Sequence, residues 1–380
     1  MNLAASAIRA SERLLRGTTF DPVNIRSVLV LEYMLPLGCC VHLTPLYEAI
    51  KRARPEVAIT VATRGIGAGL LRHHRFIDHL IETPDPFVDL RGAARGLRAE
   101  LARRGLRPDC TLTGVADQRS RIALLGLLAG GGWRAGFTQM PGLYHRPLER
   151  EMEVSHIGNN LRLAELLGCA NGHVEPRVFF SSADVSAMAE LVKQANPDGR
   201  PLVVMVTQNS GGQRTGWHDD RFAQVIRHAH DVLGCAVVYV GTANDGAVVE
   251  HLRGEAGGIG TSLTGKTSVT ELAALLAMSD AVVSLDTGTM HIGRAVGVPM
   301  AVIGPSWQRP VEWLPVGLPQ VRILRGQDRD DVPANYRLDE VEAPEVIEAL
   351  DNLLTTYPPR AESRVGRVEA GLSEIDHRRS

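Results

Sequence analysis

Short runs of β-branched and aliphatic residues alternate along this chain with longer stretches whose apolar residues recur every three or four positions. The first run, SVLVL at 27–31, has no polar interruption after its serine, the pattern of a parallel strand buried on both faces. A helix is predicted from about 39 to 54, ended by Pro55, then a strand at 57–62 and a helical segment at 67–74. A strand at 78–82, an Arg-rich helix at 90–104 and a strand at 110–113 continue the series. GGGWRAGF at 130–137 breaks the pattern, and a loop rich in Pro, Tyr, His and Arg precedes a helix at 156–167. A second series starts with a strand at 202–207. Helices are predicted at 219–233, 244–253, 268–278, 289–296 and 343–354, and strands at 236–240, 281–285 and 299–303, the last of the series.

Two such series predict an α/β fold made of two doubly wound domains. The expected organisation is an N-terminal extension (1–22), a first domain (23–175), a hinge region (176–200), a second domain (201–357) and a tail (358–380). The tail is polar and Arg-rich with little apolar period, so it is expected to be disordered. A ligand is placed most naturally in a cleft between the two domains.

The length of 380 residues suits two cores better than one. Lys and Arg number 41 against 43 Asp and Glu, so nothing calls for wholesale nucleic-acid binding. Attraction to an anionic partner must be local, for example through Arg91, Arg95 and Arg98 on one helix face. The five cysteines, at 39, 40, 110, 169 and 235, form no C-x-x-C pair and fit a reducing, cytoplasmic compartment. No apolar run is long enough to span a bilayer. The first seventeen residues carry Arg9, Arg13 and Arg16 opposite Leu3, Ala7, Leu14 and Leu15. They form an amphipathic segment that either packs on the body or lies peripherally on an anionic membrane face. No D-x-D and no His/Cys cluster points to a metal.

The densest chemistry lies at 281–306, AVVSLDTGTMHIGRAVGVPMAVIGPS, where a buried strand runs into Asp286-Thr287-Gly288-Thr289 and a helix begins. Free N–H groups at a helix N-terminus, two hydroxyls and a flexible glycine make an anion site suited to a diphosphate, with His291 in the first turn. The same residues also suit a plain helix cap, with His291 on the surface.

Together with the approach TGKTSVTELAALLAMSD (264–280), this stretch resembles glycosyltransferase family 9, the ADP-heptose:lipopolysaccharide heptosyltransferases. LGCCVHLTPLYEAIKRARPEV (37–57), GNNLRLAELLG (158–168) and EAPEVIEAL (342–350) extend the resemblance over roughly 26–355. It implies the GT-B fold, two Rossmann-like domains, the second binding a nucleotide sugar such as ADP-heptose. It implies transfer to a lipid-linked or lipopolysaccharide-core saccharide, with no cofactor and no metal. Asp286, Thr287, Gly288 and Thr289 would hold diphosphate and sugar beside His291, and Asp245 the nucleotide ribose.

Two positions depart from the family pattern. Its general-base aspartate is replaced by Cys39, which leaves Glu32 and His42 as substitute candidates. Its phosphate-neutralising lysine before Trp217 is replaced by Thr215, with Arg214 adjacent as the residue left to bind phosphate. The missing carboxylate also raises the alternatives of another donor or acceptor, or of a catalytically silent sugar-nucleotide-binding protein.

Overall fold

A computed structural model describes residues 20–34, 36–169, 172–208 and 216–377. The chain divides into two compact units, Met1–Pro176 with Ile375–Ser380, and Arg177–Glu374. The amphipathic segment at 1–17 and Arg214 lie outside the described residues.

The first unit runs β1 (Ser27–Leu31), α1 (Leu37–Ala53), β2 (Ala58–Thr63), α2 (Gly65–Leu71), β3 (His79–Glu82), α3 (Leu90–Arg103) and β4 (Cys110–Thr113). It continues through α4 (Ser120–Ala129), β5 (Trp133–Phe137), β6 (Arg146–Leu148) and α5 (His156–Leu166). Its six parallel strands lie in the order β3-β2-β1-β4-β5-β6. The unbroken apolar run of β1 is central and fully buried, with Leu31 opposite Ala62 of β2 and Thr113 of β4. The chain builds outward from β1 to one edge, then returns to start the other half at β4. The point where strand order reverses, between the carboxyl ends of β1 and β4, is where open α/β sheets leave a crevice for ligands.

The predicted break at 130–137 contains β5. Gly132 has φ +59°, and a Cβ there would lie 1.7 Å from the Asp109 carbonyl oxygen, so the glycines make a tight entry into a strand instead of interrupting the sheet.

The second unit comprises α6 (Ser182–Ala195), β7 (Leu202–Val206), α7 (Asp219–Arg227), β8 (Ala236–Tyr239), α8 (Gly246–Glu255), β9 (Thr261–Ser262) and α9 (Val269–Met278). β10 (Ala281–Leu285), α10 (Gly288–Val296), β11 (Met300–Ile303), α11 (Pro310–Trp313), β12 (Val321–Leu324), α12 (Ala343–Thr356) and α13 (Ala361–Gly371) follow. The sheet is again parallel, ordered β12-β11-β10-β7-β8-β9, with its reversal between β7 and β10. β12 extends the series beyond the strand predicted as its last. Trp217 is buried edge-on against Phe222, ring centroids 4.8 Å apart, and its Nε1 donates to the Val341 carbonyl at 2.9 Å. No described helix is long and apolar enough to cross a membrane.

The tail is not disordered as its composition suggested. In α13, Arg367 donates from Nε to the Ala277 carbonyl at 3.1 Å and from Nη2 to the Ser279 carbonyl, at the C-terminal end of α9. Arg364 pairs with buried Asp280 at 3.2 Å. Phe180 N–H donates to Gly371 O and Ser373 N–H to Phe180 O, at 3.0 and 2.8 Å. Arginine-to-carbonyl bonds, not an apolar stripe, hold this helix, and hydrophobic periodicity does not report such bonds.

Candidate active site

In the first unit the sequence-predicted residues Glu32, Cys39 and His42 sit at or just beyond the carboxyl end of β1, but they face different surroundings. Glu32 follows β1 directly and is 1% exposed. Tyr47 Oη, from the middle of α1, donates to Glu32 Oε2 at 2.5 Å, and Glu32 Oε1 is buried without a partner. Burial pushes the Glu32 carboxyl up to about 8, against the Tyr47 hydrogen bond and reinforced by the charge of Asp117. Cys39, in the first turn of α1, is half-buried. Its thiol is pushed up to about 12, first by burial and then by the charges of Asp117 and Glu32, so it stays protonated at neutral pH. His42 is buried, with its ring centroid 6.3 Å from that of His156 in α5, and its carbonyl accepts from Asn160 Nδ2 at 3.0 Å. It belongs to the α1–α5 packing.

Asp117, in the loop after β4, was not singled out by the sequence. Its Oδ1 accepts from the N–H groups of Tyr33 and Met34 at 2.8 and 2.9 Å. The carboxylate therefore lies across the β1/β4 reversal, against the loop that leads into Cys39. Burial pushes it up to about 7, opposed by those two backbone donors and by Arg119. Only the parallel pairing of β1 with β4 brings the two loops together, and no local motif announces that.

In the second unit the predicted cluster assembles at the carboxyl end of β10, beside the β7/β10 reversal. Asp286 is 8% exposed, and burial alone pushes its carboxyl up to about 6. His291 Nε2 lies 3.9 Å from Asp286 Oδ1, and the buried His291 ring stands edge-on to Trp313 at 6.1 Å between centroids. Thr287 is extended and occupies the N-cap of α10, yet makes no side-chain cap bond, and its Oγ1 is buried without a partner. The helix begins at Gly288, with Thr289 next, so its first N–H groups have no intrahelical acceptors. The plain-cap reading fails on this geometry, because a capping threonine would spend its hydroxyl on the helix. Gly293 lets α10 lie close on β11, where a Cβ would come within 2.5 Å of Met300 Sδ, and Gly297 at φ +75° ends the helix. Thr207, which follows β7, also has a buried, unpartnered Oγ1. In the sequence it is only the last residue of the strand predicted at 202–207.

Asp245 lies after β8 on the same sheet edge but not in this cluster. Its Oδ2 accepts from Thr242 N and Oγ1 at 2.6 and 2.8 Å, closing the turn that starts α8. Its carboxylate is engaged in that turn.

The model of glycosyltransferase family 9 (heptosyltransferase) matches residues 116–329. No curated protein sequence matches the chain. The glycosyl transferase family 9 structure from Veillonella parvula superimposes with TM-score 0.78 at 18% identity, covering 89% of this chain and 99% of that one. E. coli ADP-heptose lipopolysaccharide heptosyltransferase II gives 0.70 at 18%, covering 87% and 99%. E. coli heptosyltransferase WaaC with ADP-2-deoxy-2-fluoro heptose gives 0.65 at 16%, covering 86% and 99%. These likenesses carry the fold, the two-domain GT-B architecture, while the family match runs from the loop after β4 through β12 and includes the β10–α10 cluster. The chain belongs to glycosyltransferase family 9, the heptosyltransferases, and is a glycosyltransferase.

Proposed function

We propose that this enzyme transfers a heptose-like sugar from ADP-heptose to a lipopolysaccharide-core or related saccharide, inverting the anomeric centre and needing no metal or cofactor. One observation supports the donor assignment above others: an uncapped α10 N-terminus with a free Thr287 hydroxyl beside buried Asp286 and His291. Those N–H groups and the hydroxyl suit a diphosphate, and they would steady the charge that develops on it as it leaves. Asp286 would accept hydrogen bonds from the sugar, and Arg214 would add a bidentate phosphate contact. The E. coli relative described with an ADP-heptose analogue makes ADP the first nucleotide to test. In a thermal-shift comparison, ADP and ADP-heptose should stabilise the protein while UDP and GDP do not. Stabilisation by UDP or GDP without ADP would overturn the donor.

A peripheral position on the cytoplasmic membrane face is part of the proposal, motivated by the exposed Arg91, Arg95 and Arg98 of α3. Flotation with anionic but not neutral vesicles is expected, and equal behaviour with both would remove it. The reading of a silent binding protein draws on Cys39, a protonated thiol at the family's base position. Nucleotide binding with no turnover on ADP-heptose and heptose-deficient lipopolysaccharide would favour it.

A further inference from the structure

Arg-rich composition made 358–380 look like a disordered tail, yet once folded into α13 it walls a cavity in the second unit. The cavity, of about 470 Å³, lies at the amino end of the sheet, where the chain enters β10, β11 and β12. Asp280 and Gln320 line it from those entries, Tyr357 from the end of α12, and Arg360, Ser363 and Arg367 from the start of α13. The donor cluster sits at the opposite, carboxyl end of β10 and shares none of these residues.

We propose that this cavity is a separate anion site, which takes a phosphorylated small molecule whose organic part rests on Tyr357. Its charge balance is positive. Asp280, its acidic wall, is neutralised within the fold: Oδ2 accepts from Leu202 N at 2.8 Å and pairs with Arg364 Nη1 at 3.2 Å. Arg360 and Arg367 are left in excess. Arg367 is positioned by bonds from Nε and Nη2 to the carbonyls of Ala277 and Ser279, neutral acceptors that fix a guanidinium without cancelling its charge. Arg360 is the N-cap of α13, so Ser363 and Arg367 follow it three and seven positions on, along one helix face. The hydrogen-bonding capacity of the lining is also unspent. Among the described residues, none hydrogen-bonds the side chains of Gln320, Tyr357, Arg360 or Ser363. The guanidinium among them suits bidentate phosphate binding. The volume exceeds what a bare phosphate fills and falls in the range of small-molecule sites, roughly 300–1,000 Å³. For the remainder of the ligand, the half-buried Tyr357 ring, packed on the core of this unit, offers an apolar face. Binding here needs neither the donor nor the acceptor proposed above.

Titration calorimetry of the full chain with phenyl phosphate and with inorganic phosphate tests the site. Both should bind saturably at millimolar concentration or below, phenyl phosphate the more tightly. Arg360→Gln should weaken both by about 10-fold or more, the scale of a hydrogen bond to a charged group. Its melting temperature should match wild type, because Arg360 has no side-chain partner in the fold to lose. Ser363→Ala, which leaves the N-cap residue of α13 in place, should weaken both by about two- to tenfold. Tyr357→Leu should weaken phenyl phosphate and leave inorganic phosphate unchanged, whereas Thr287→Val, in the donor cluster, should change neither. Absence of saturable binding by either probe overturns the proposal, as do wild-type affinities in both Arg360→Gln and Ser363→Ala. Affinity lost in Thr287→Val but kept in Arg360→Gln places the anion in the donor cluster and overturns it as well. A Tyr357→Leu variant that binds phenyl phosphate as wild type does overturns the organic part of the assignment.

Discussion

Tyr47 Oη donates a 2.5 Å hydrogen bond to Glu32 Oε2, tying the residue at the end of β1 to the middle of α1 beneath the candidate acceptor crevice. The bond is formed with a carboxyl that the fold keeps protonated. It therefore organises the crevice floor without placing a charge there.

Glu32→Gln tests that description through stability. The carboxyl is raised from 4.5 to about 8 in the fold, so its neutral form is favoured by burial. That contribution is complete below about pH 4.5 and is lost as pH rises through about 8. Glutamine keeps the Tyr47 bond and cannot ionise. The melting temperature of the variant should overtake wild type progressively from pH 5 to 8, as its unfolding free energy gains on the order of a few kcal/mol over wild type at the upper end. Parallel melting curves across that range would mean that Glu32 is ionised in the fold.

Cys39→Ser addresses the family's base position directly. A thiol pushed up to about 12 carries almost no thiolate at pH 7.5 and cannot serve as the proton acceptor. The substitution nearly conserves size, so kcat for ADP release should change by less than about threefold, against the far larger loss expected when a general base is removed. A loss near 100-fold would return the role to position 39.

Thr287→Val probes the donor side. The Thr287 hydroxyl has no hydrogen-bond partner within the fold, so its removal breaks no intramolecular hydrogen bond, and the melting temperature should hold. A bond to a charged phosphate oxygen is worth roughly 1.5–3 kcal/mol, so ADP affinity measured by titration calorimetry should fall about 10-fold or more. Unchanged affinity would place the diphosphate elsewhere.

How far the site was legible in the sequence follows from how each part is built. The β10–α10 cluster was readable because strand, turn and helix start are contiguous, and one local segment fixes where Asp286, Thr287 and His291 lie. Both doubly wound series were readable for the same reason, from runs such as β1 that are buried on both faces. Asp117 was not, since it meets Tyr33 across 84 positions, through pairing of β1 with β4. Asp245 shows what spacing leaves out: an acidic residue after a strand looks free in sequence, but its Oδ2 accepts from Thr242 within the turn that starts α8. Glycines hid β5, because a residue without a side chain registers as a break even where it makes strand entry possible.

Arg367→Ala should show that the C-terminal helix is part of the second unit's fold. Arg367 supplies donors to two carbonyls at the end of α9, where a helix leaves its last C=O groups without intrahelical partners. Losing the guanidinium strands both, at about 1–3 kcal/mol for each acceptor that water does not reach. Urea unfolding should therefore lose roughly 1–3 kcal/mol, with ADP affinity preserved if the proposed donor site is the cluster at the opposite, carboxyl end of β10. Gly371→Ala makes an independent check. A Cβ there would come within 2.4 Å of the Phe180 ring, so this small change should destabilise the same unit without removing any hydrogen bond. A pair of variants with wild-type unfolding curves would detach α13 from the fold and return 358–380 to the disorder its composition suggested.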